Sequence, residues 1–467
     1  RRGRVPRQVG QRLRLAVSFC VFAPRPARGN FLYAARRRRQ EGPPSGGVPR
    51  ITVSGGAPAR SGVRARLVWR ARAGGAGKRG GMNVYLDYAA TSPLRAEVLE
   101  RMLPLLKENF GNPDSLHAFG RKAAYLIGEA RDRIAGALGV KPKEVYFTSG
   151  GTEADNWAVR CLAAGEPFAV SSVEHAAVLS SAKLRGEHAL LACDREGRVP
   201  LQAVEEALKS GAKLVALMAV NNETGVFQPV QEAAELCHGY GALLFADCVQ
   251  AGRCCDLKAL TAAADAVALS AHKLGGPKGT GLLWVRSGVR IPPLIAGGEQ
   301  ERSLRGGTLN AAGIVGMAEA LVLAQSEREA FVSHTRSLRD AFEARILSAL
   351  NGEASVDGGG VAAGGGAAVG AAAVGEKRTE RAPNLSHITF AGGGEWLIGA
   401  LDLRGVACSG GAACSAHAAL PSHVMLAMGR SEEEAKRGVR FSFGMETTPR
   451  EAEYAAETVV SVIRKEG

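Results

Sequence analysis

Beyond Met82 the apolar positions fall into two alternating periods. Val98, Leu99, Met102, Leu105 and Leu106 recur at helical spacing and predict a helix over 96–110, and a second helix is predicted over 121–138. Unbroken or alternating apolar runs predict strands at Val145–Thr148, Phe168–Ser172, Leu214–Val220, Ala242–Ala246, Ala266–Leu269 and Gly281–Val285. Helical stretches over 201–209 and 230–240 fall between them, two longer ones follow at 327–350 and 450–465, and Val84–Thr91 reads as a strand or extended arm. Such alternation predicts an α/β fold, with a large, mostly parallel sheet of the seven-stranded type, helices on both faces and a smaller α+β domain. Ligands of such sheets sit at the carboxyl ends of the strands.

Composition narrows the class without identifying it. With 46% hydrophobic and 22% charged residues in 467, the chain has the make-up of a globular protein with a large core. No stretch is apolar for long enough to cross a bilayer, so no membrane association is expected. The net charge of +14 is unevenly placed. About twenty Lys and Arg precede Met82, where Glu41 is the single acid, and the remainder is mildly acidic.

Residues 1–81 are rich in Arg, Gly, Ala and Pro and show no helical period, so they are expected to be disordered. Three origins compete: a transit peptide, a nucleic-acid-binding arm, or upstream sequence foreign to the native protein. The last is favoured because position 1 is not Met and Met82 directly precedes a well-patterned segment. A cytoplasmic location follows from it, and a mitochondrial or plastid one from a transit peptide. Nucleic-acid binding is not expected, since the segment has few aromatics to stack on bases. A Gly/Ala-rich tract over 352–382 reads as a flexible insertion. The nine cysteines are scattered without a C-x-x-C pair, which favours neither a disulfide framework nor a metal site.

Candidate chemistry gathers where strands end. Lys273 follows the apolar run 266–269 in Ser270-Ala271-His272-Lys273 and precedes a glycine-rich turn. A lysine partly removed from water there, beside another cation, has a lowered pKa and can attack a carbonyl. Ser149-Gly150-Gly151-Thr152-Glu153 joins a strand to a helix and offers free backbone N–H groups to an anion. His175, Asn222, Asp247 and Gln250 also fall at strand ends, although each residue type caps turns equally well. A second centre lies in Ala407-Cys408-Ser409-Gly410-Gly411-Ala412-Ala413-Cys414, where small residues give a thiol the reach that group transfer needs.

Asp247-Cys248-Val249-Gln250, Ser270-Ala271-His272-Lys273 and Ser149-Gly150-Gly151-Thr152-Glu153 resemble the cofactor motifs of the NifS/IscS-type cysteine desulfurases, in class V of the pyridoxal-phosphate-dependent aminotransferase superfamily. Asp87-Tyr88-Ala89-Ala90-Thr91, Gly111-Asn112-Pro113, Asn221-Asn222-Glu223-Thr224-Gly225, Arg305-Gly306-Gly307-Thr308 and Val439-Arg440-Phe441-Ser442 are similar to further segments of that family, in order. The resemblance implies a fold-type I enzyme. It would convert L-cysteine to L-alanine, leave a persulfide on Cys414 and supply sulfur to an acceptor such as an iron–sulfur scaffold; a selenocysteine lyase or related aminotransferase is the alternative. It implies that Lys273 is the Schiff-base lysine, Asp247 the partner of the pyridine nitrogen, His175 the residue stacked on the ring and Gln250 the donor to the ring oxygen. Gly151, Thr152, Ser270 and His272 would hold the phosphate, with Thr308 reaching over from the second subunit of a homodimer. Asn222, which would also border the cofactor, and Arg440 would hold the substrate carboxylate, with Asn112 assisting. Gly411-Ala412-Ala413-Cys414 matches the family's Gly-Ser-Ala-Cys except at Ala412, so Cys414 is preferred to Cys408 as the nucleophile. The large domain would span 96–325, and the small one 82–95 with 326–467.

Overall fold

The computed structural model of the protein describes residues 82–359, 380–410 and 420–466. The basic extension, most of the Gly/Ala insertion and Cys414 lie outside the described residues. The chain divides into two units, Arg1–Ala76 and Gly77–Gly467, and all described residues belong to the second.

Strands β2 (Val145–Thr148), β3 (Phe168–Ser171), β4 (Ala189–Leu191), β5 (Leu214–Ala216), β6 (Leu243–Asp247), β7 (Ala266–Ser270) and β8 (Gly281–Val285) form a seven-stranded sheet in the order β2-β8-β7-β6-β5-β3-β4. Only β8 runs antiparallel to its neighbours, and the direct link from β7 to β8 explains why. Residues 271–280 contain a single turn of 3-10 helix and no crossover helix, too little chain to return to the start of a parallel strand. Helices α2 (Ala118–Leu138), α3 (Gly151–Cys161) and α6 (Val230–Gly239) pack on this sheet, and α9 (Ala311–Ser326) packs on α2. Apolar clusters lie on its two sides, one gathering Ile134, Leu244, Val267 and Met317, the other Trp157, Phe245, Ala268 and Leu283. Alternate residues of β6 and β7 therefore enter different clusters, as the period of two requires.

A second sheet of four strands, β12 (Ser409–Gly410), β13 (Gly438–Ser442), β10 (Leu385–Phe390) and β9 (Ala354–Val356), has its own core. Phe342, Ile346, Phe390, Phe441, Phe443 and Val459 meet there between the sheet and helices α10 (Arg328–Leu350) and α14 (Pro449–Glu466). Val84 and Leu86 of the N-terminal arm belong to this cluster, because β1 (Val84–Tyr85) pairs in parallel with β11 (Val406–Ala407). The arm then turns toward the carboxyl edge of the larger sheet.

One strained turn helps to shape that edge. Glu301, Arg302 and Ser303 all adopt left-handed backbone angles, with φ of 48°, 61° and 63°, a conformation that costs roughly 1–2 kcal/mol for each L residue. The Glu301 carboxylate is buried and offsets this cost by accepting from Phe147 N at 2.9 Å and from both terminal nitrogens of Arg131. The turn leads into Arg305, which forks onto Glu153 at the start of α3 with distances of 2.8 and 3.0 Å. Removing one partner of a buried ion pair leaves the other uncompensated. Glu301→Ala should therefore lower stability by about 3–5 kcal/mol, read from the denaturant midpoint. A loss under about 1 kcal/mol, the range of solvent-exposed pairs, would mean that water replaces the carboxylate.

Candidate active site

A cavity of about 340 Å³ opens at the carboxyl ends of β5, β6 and β7. Ten of the residues expected from sequence border it: Gly151, Thr152, His175, Asn222, Asp247, Gln250, Ser270, His272, Lys273 and Arg440. They come from separate strand ends and from β13 of the second sheet.

Lys273 closes the turn after β7, where its Nζ donates to the carbonyls of Ala89 at 2.6 Å and Ala90 at 2.9 Å. Gln250 Nε2 donates to the same Ala89 carbonyl at 2.9 Å. His272 meets Thr91 Oγ1 at 3.2 Å. Burial, with Lys273 and Lys278 nearby, pushes the His272 imidazole down to about 4, so it is neutral at physiological pH. His175 caps α4 (Ala176–Arg185), its Nδ1 accepting from Ala177 N at 3.1 Å, which places the proton of the neutral ring on Nε2. Asp247 ends β6, is buried, and accepts from Val249 N at 2.9 Å. Burial raises its carboxyl, while the Val249 N–H and the neighbouring His175 and Lys273 oppose that rise.

Beside this cavity lies a second depression, of about 480 Å³, that shares Gly151, Thr152, Ser270 and His272 with it and adds Lys278 and Ser149. Here β2 opens through Gly150, at φ 157° and ψ −178°, into the eleven residues of α3. The free N–H groups of that helix start, a lysine and a serine form an anion cradle. On the opposite wall Arg440 donates to the Asn222 carbonyl at 2.8 Å and to Asp87 at 3.1 Å. Its Nε and the Asn222 side-chain oxygen are buried without a protein partner, so both have bonding capacity left for a ligand.

Two expected residues are not brought to the cavity of this chain. Asn112 is exposed in the turn after α1 (Ala96–Lys107), where its Oδ1 accepts from Asp114 N at 3.0 Å, closing an Asx turn. Thr308 is exposed on the loop beyond Arg305 and borders neither depression. Cys414 lies outside the described residues, but the chain on both sides of 411–419 is anchored at the site. Ser409 pairs with Arg440 across β12 and β13, His423 borders the cavity, and Ser422 donates to Glu223 beside Asn222. Cys408 is a poor rival: burial first, then Asp87 and Asp402, push its thiol up to about 12, leaving almost no thiolate at neutral pH.

Sequence reasoning missed Asp155 and Glu174, both buried, of which Asp155 borders the cavity. An acid on a helix and an acid before a histidine look like solvent-facing charges, and no signal in the chain distinguishes them. It also missed the roles of Ala89 and Ala90, which act through backbone carbonyls that any residue would supply.

The cradle depends on Gly281 of β8, where an added Cβ would lie 2.7 Å from the Gly150 backbone and 2.8 Å from the Leu269 carbonyl. Gly281→Ala should displace the turn before α3 and weaken binding of inorganic phosphate by about tenfold or more, measured by calorimetry. Unchanged affinity would mean that the cradle lies elsewhere.

The Aminotransferase class-V family matches residues 84–356. The chain is 40% identical over 397 residues to the cysteine desulfurase IscS of Dictyoglomus turgidum, covering 82% of this chain and 95% of that protein. It is 38% identical over 393 residues to the putative cysteine desulfurase IscS 1 of Bacillus subtilis, covering 82% and 99%. Among solved structures, a NifS-like protein superposes with a TM-score of 0.72 at 30% identity over 82% of this chain and 100% of the other. A NifS-like protein of Rickettsia africae gives 0.71 at 28% identity, over 82% and 99%. With its strand-end lysine, its buried aspartate and its anion cradle, the chain belongs to the aminotransferase class-V family, among the NifS/IscS-type cysteine desulfurases.

Proposed function

We propose that the protein converts L-cysteine to L-alanine and leaves the sulfur on Cys414 as a persulfide. The observation that carries this reading is the convergence of Lys273, Asp247, the α3 cradle and Arg440 on one cavity in a chain of this family. Pyridoxal phosphate, the cofactor of the family, supplies when bound a protonated ring that draws electron density from the substrate's Cα. The residues present fit it. The cradle suits its phosphate, the buried Asp247 suits a cationic ring nitrogen, and the Lys273 amine borders the same cavity.

In this reading the α3 start, with Gly151, Thr152, Ser270 and His272, holds the phosphate, and His175 packs on the ring. Gln250 donates to the ring oxygen. Lys273, whose Nζ donates here to the Ala89 and Ala90 carbonyls, would hold the cofactor through that amine and would move the proton taken from the substrate's Cα. Arg440 and Asn222 hold the substrate carboxylate, and the unpartnered Arg440 Nε–H supports this assignment. The Cys414 thiolate then attacks the substrate sulfur: a sulfur–sulfur bond forms and the substrate Cβ–S bond breaks. Cβ keeps the electron pair and takes a proton to become the methyl group of alanine. The persulfide passes to an acceptor protein with its own thiol, an iron–sulfur scaffold being the kind expected. Segments 82–95 and 326–467 form the small domain that carries this thiol.

A homodimer completes the site, with Thr308 of one copy at the phosphate of the other. Support comes from an apolar face on α1, α2 and the chain between them, where Leu106, Phe110, Leu116, Phe119 and Tyr125 are between 57% and 90% exposed and the Phe110 and Phe119 rings stack at 5.7 Å.

Cys414→Ser should keep the visible absorption of bound cofactor and still bind cysteine, while alanine formation falls by about 10³-fold or more, as loss of a nucleophile requires. Lys273→Ala should lose that absorption and turnover together. Undiminished alanine formation in Cys414→Ser would sink the thiol assignment. For the assembly, Phe110→Arg with Phe119→Arg should sediment as a monomer and bind inorganic phosphate more weakly than the parent, and a dimer that survives both changes would place the interface elsewhere.

A further inference from the structure

Three carboxyl groups are buried in and beside the wall of the cavity. Asp155 on α3 is 1% exposed, Glu174 before α4 is 0% exposed and Asp247 at the end of β6 is 5% exposed. No ion pair among the described residues engages any of them. Glu174 Oε1 accepts from Met218 N at 2.6 Å, and Asp247 Oδ1 from Val249 N at 2.9 Å. Glu174 Oε2 and Asp155 Oδ1 are buried without any partner. Three ionised carboxylates cannot share such a place, because neither solvent nor counter-charge offsets their desolvation and mutual repulsion.

We propose that Asp155 and Glu174 are positioning residues that work as neutral acids, each keeping its proton, so that the negative charge of the cluster is confined to Asp247. The partners distribute the protons in this way. Asp247 alone has both a backbone donor and a nearby cation, Lys273 after β7, with the His175 ring at the start of α4 beside it. Burial, reinforced by Asp247 and Glu174, pushes the Asp155 carboxyl far up. Burial pushes Glu174 up to about 8 in spite of its bonds from Met218 N and Ser171. Of the remaining titratable groups facing Glu174 and Asp247, Cys248 is a buried thiol held protonated, and His423 on α12 (His423–Ala427) directs its Nε2 to the Glu174 backbone carbonyl and not to a carboxyl oxygen.

A carboxyl whose pKa is raised by folding contributes stability that is complete below its unfolded value, near 4.5, and is lost as pH rises through about 8. Above that pH a second charge appears beside Asp247. The role toward Asp247 rests on the reading that Asp247 meets a cationic cofactor nitrogen. The protonation of Glu174 and Asp155 does not.

The test uses Glu174→Gln, which mimics the neutral acid, against Glu174→Ala, with Asp247→Asn as reference. Without cofactor, infrared difference spectra at pH 7 should show a protonated-carboxyl C=O band that weakens in Glu174→Gln and separately in Asp155→Asn. Stability should fall between pH 5 and 9 in the parent, with a shallower slope in Glu174→Gln, where Asp155 alone still contributes, and a shallower one again when Asp155→Asn is added. With pyridoxal phosphate, Glu174→Gln should keep affinity within about threefold while Asp247→Asn loses about tenfold or more and Glu174→Ala falls between them. An infrared band unchanged in both variants, a pH slope as steep in Glu174→Gln as in the parent, or a Glu174→Gln as impaired as Asp247→Asn overturns the proposal. If the parent itself binds no cofactor, the functional reading fails instead, and the infrared and stability arms still decide the protonation.

Discussion

The site is held together by a five-residue strap, Asp87–Thr91, that gives its polar groups to four residues of the cavity. The Ala89 carbonyl accepts from Lys273 and Gln250, the Ala90 carbonyl accepts from Lys273, Thr91 meets His272, and Asp87 pairs with Arg440. A hydrogen bond to a charged donor contributes about 1.5–3 kcal/mol, so the strap fixes two cations that would otherwise be mobile or repel each other. Its own position is fixed at one end by Val84 and Leu86, buried in the second core, and at the other by Ser92, whose N donates to the His272 carbonyl. The two sheets thus meet through the first ten described residues. A lysine and an arginine from opposite sides of the cavity are registered against a single length of backbone.

The same economy governs charge. Several acids near the strand ends and in the second sheet are matched by a partner. Glu301 is matched by Arg131, and Glu153 by Arg305. Asp357, fully buried in the second sheet, is matched by His387, Thr389 and Arg430, at 2.8, 2.7 and 2.9 Å. The acids at the wall of the cavity have no such partners, and that difference separates a structural pair from a group whose proton matters. A matched pair sets a conformation. An unmatched acid beside Asp247 sets a charge.

What the chain discloses follows from how each element is stabilised. The strands β2 and β8 and the run 266–269 of β7 were legible because a buried strand of the large sheet must be apolar on both faces, and a run of that kind between turn residues has few other readings. The polar groups at their ends were legible for the same reason. The second sheet was not. Its strand β12 has two residues and β9 three, too few to show a period, and β9 is parted from β10 by the Gly/Ala tract. Helix α9 was missed because it is buried on nearly every side, with Ala312, Ile314, Met317, Ala320 and Leu321 all inside, and so shows no polar stripe. Motif likeness placed Asn112 and Thr308 among the site residues, but a motif does not say whether a side chain serves its own subunit's cavity.

The geometry also bears on why two reactive centres are needed in different mechanical settings. Asp247 ends β6 and Lys273 closes the short turn after its neighbour β7, and the Cα register that pairs Asp247 with Ala268 sets the two strand ends side by side. Chemistry that requires a ring nitrogen and an amine at fixed spacing belongs on such a frame. A sulfur carrier has the opposite requirement, since it must meet a substrate inside the cavity and an acceptor outside it. Cys414 accordingly lies in a segment of small residues, whose two ends are anchored at the cavity by Ser409 opposite Arg440 and by Ser422 on Glu223. Anchoring both ends at the residues proposed to bind the substrate carboxylate ties the reach of the thiol to the place where the substrate is held.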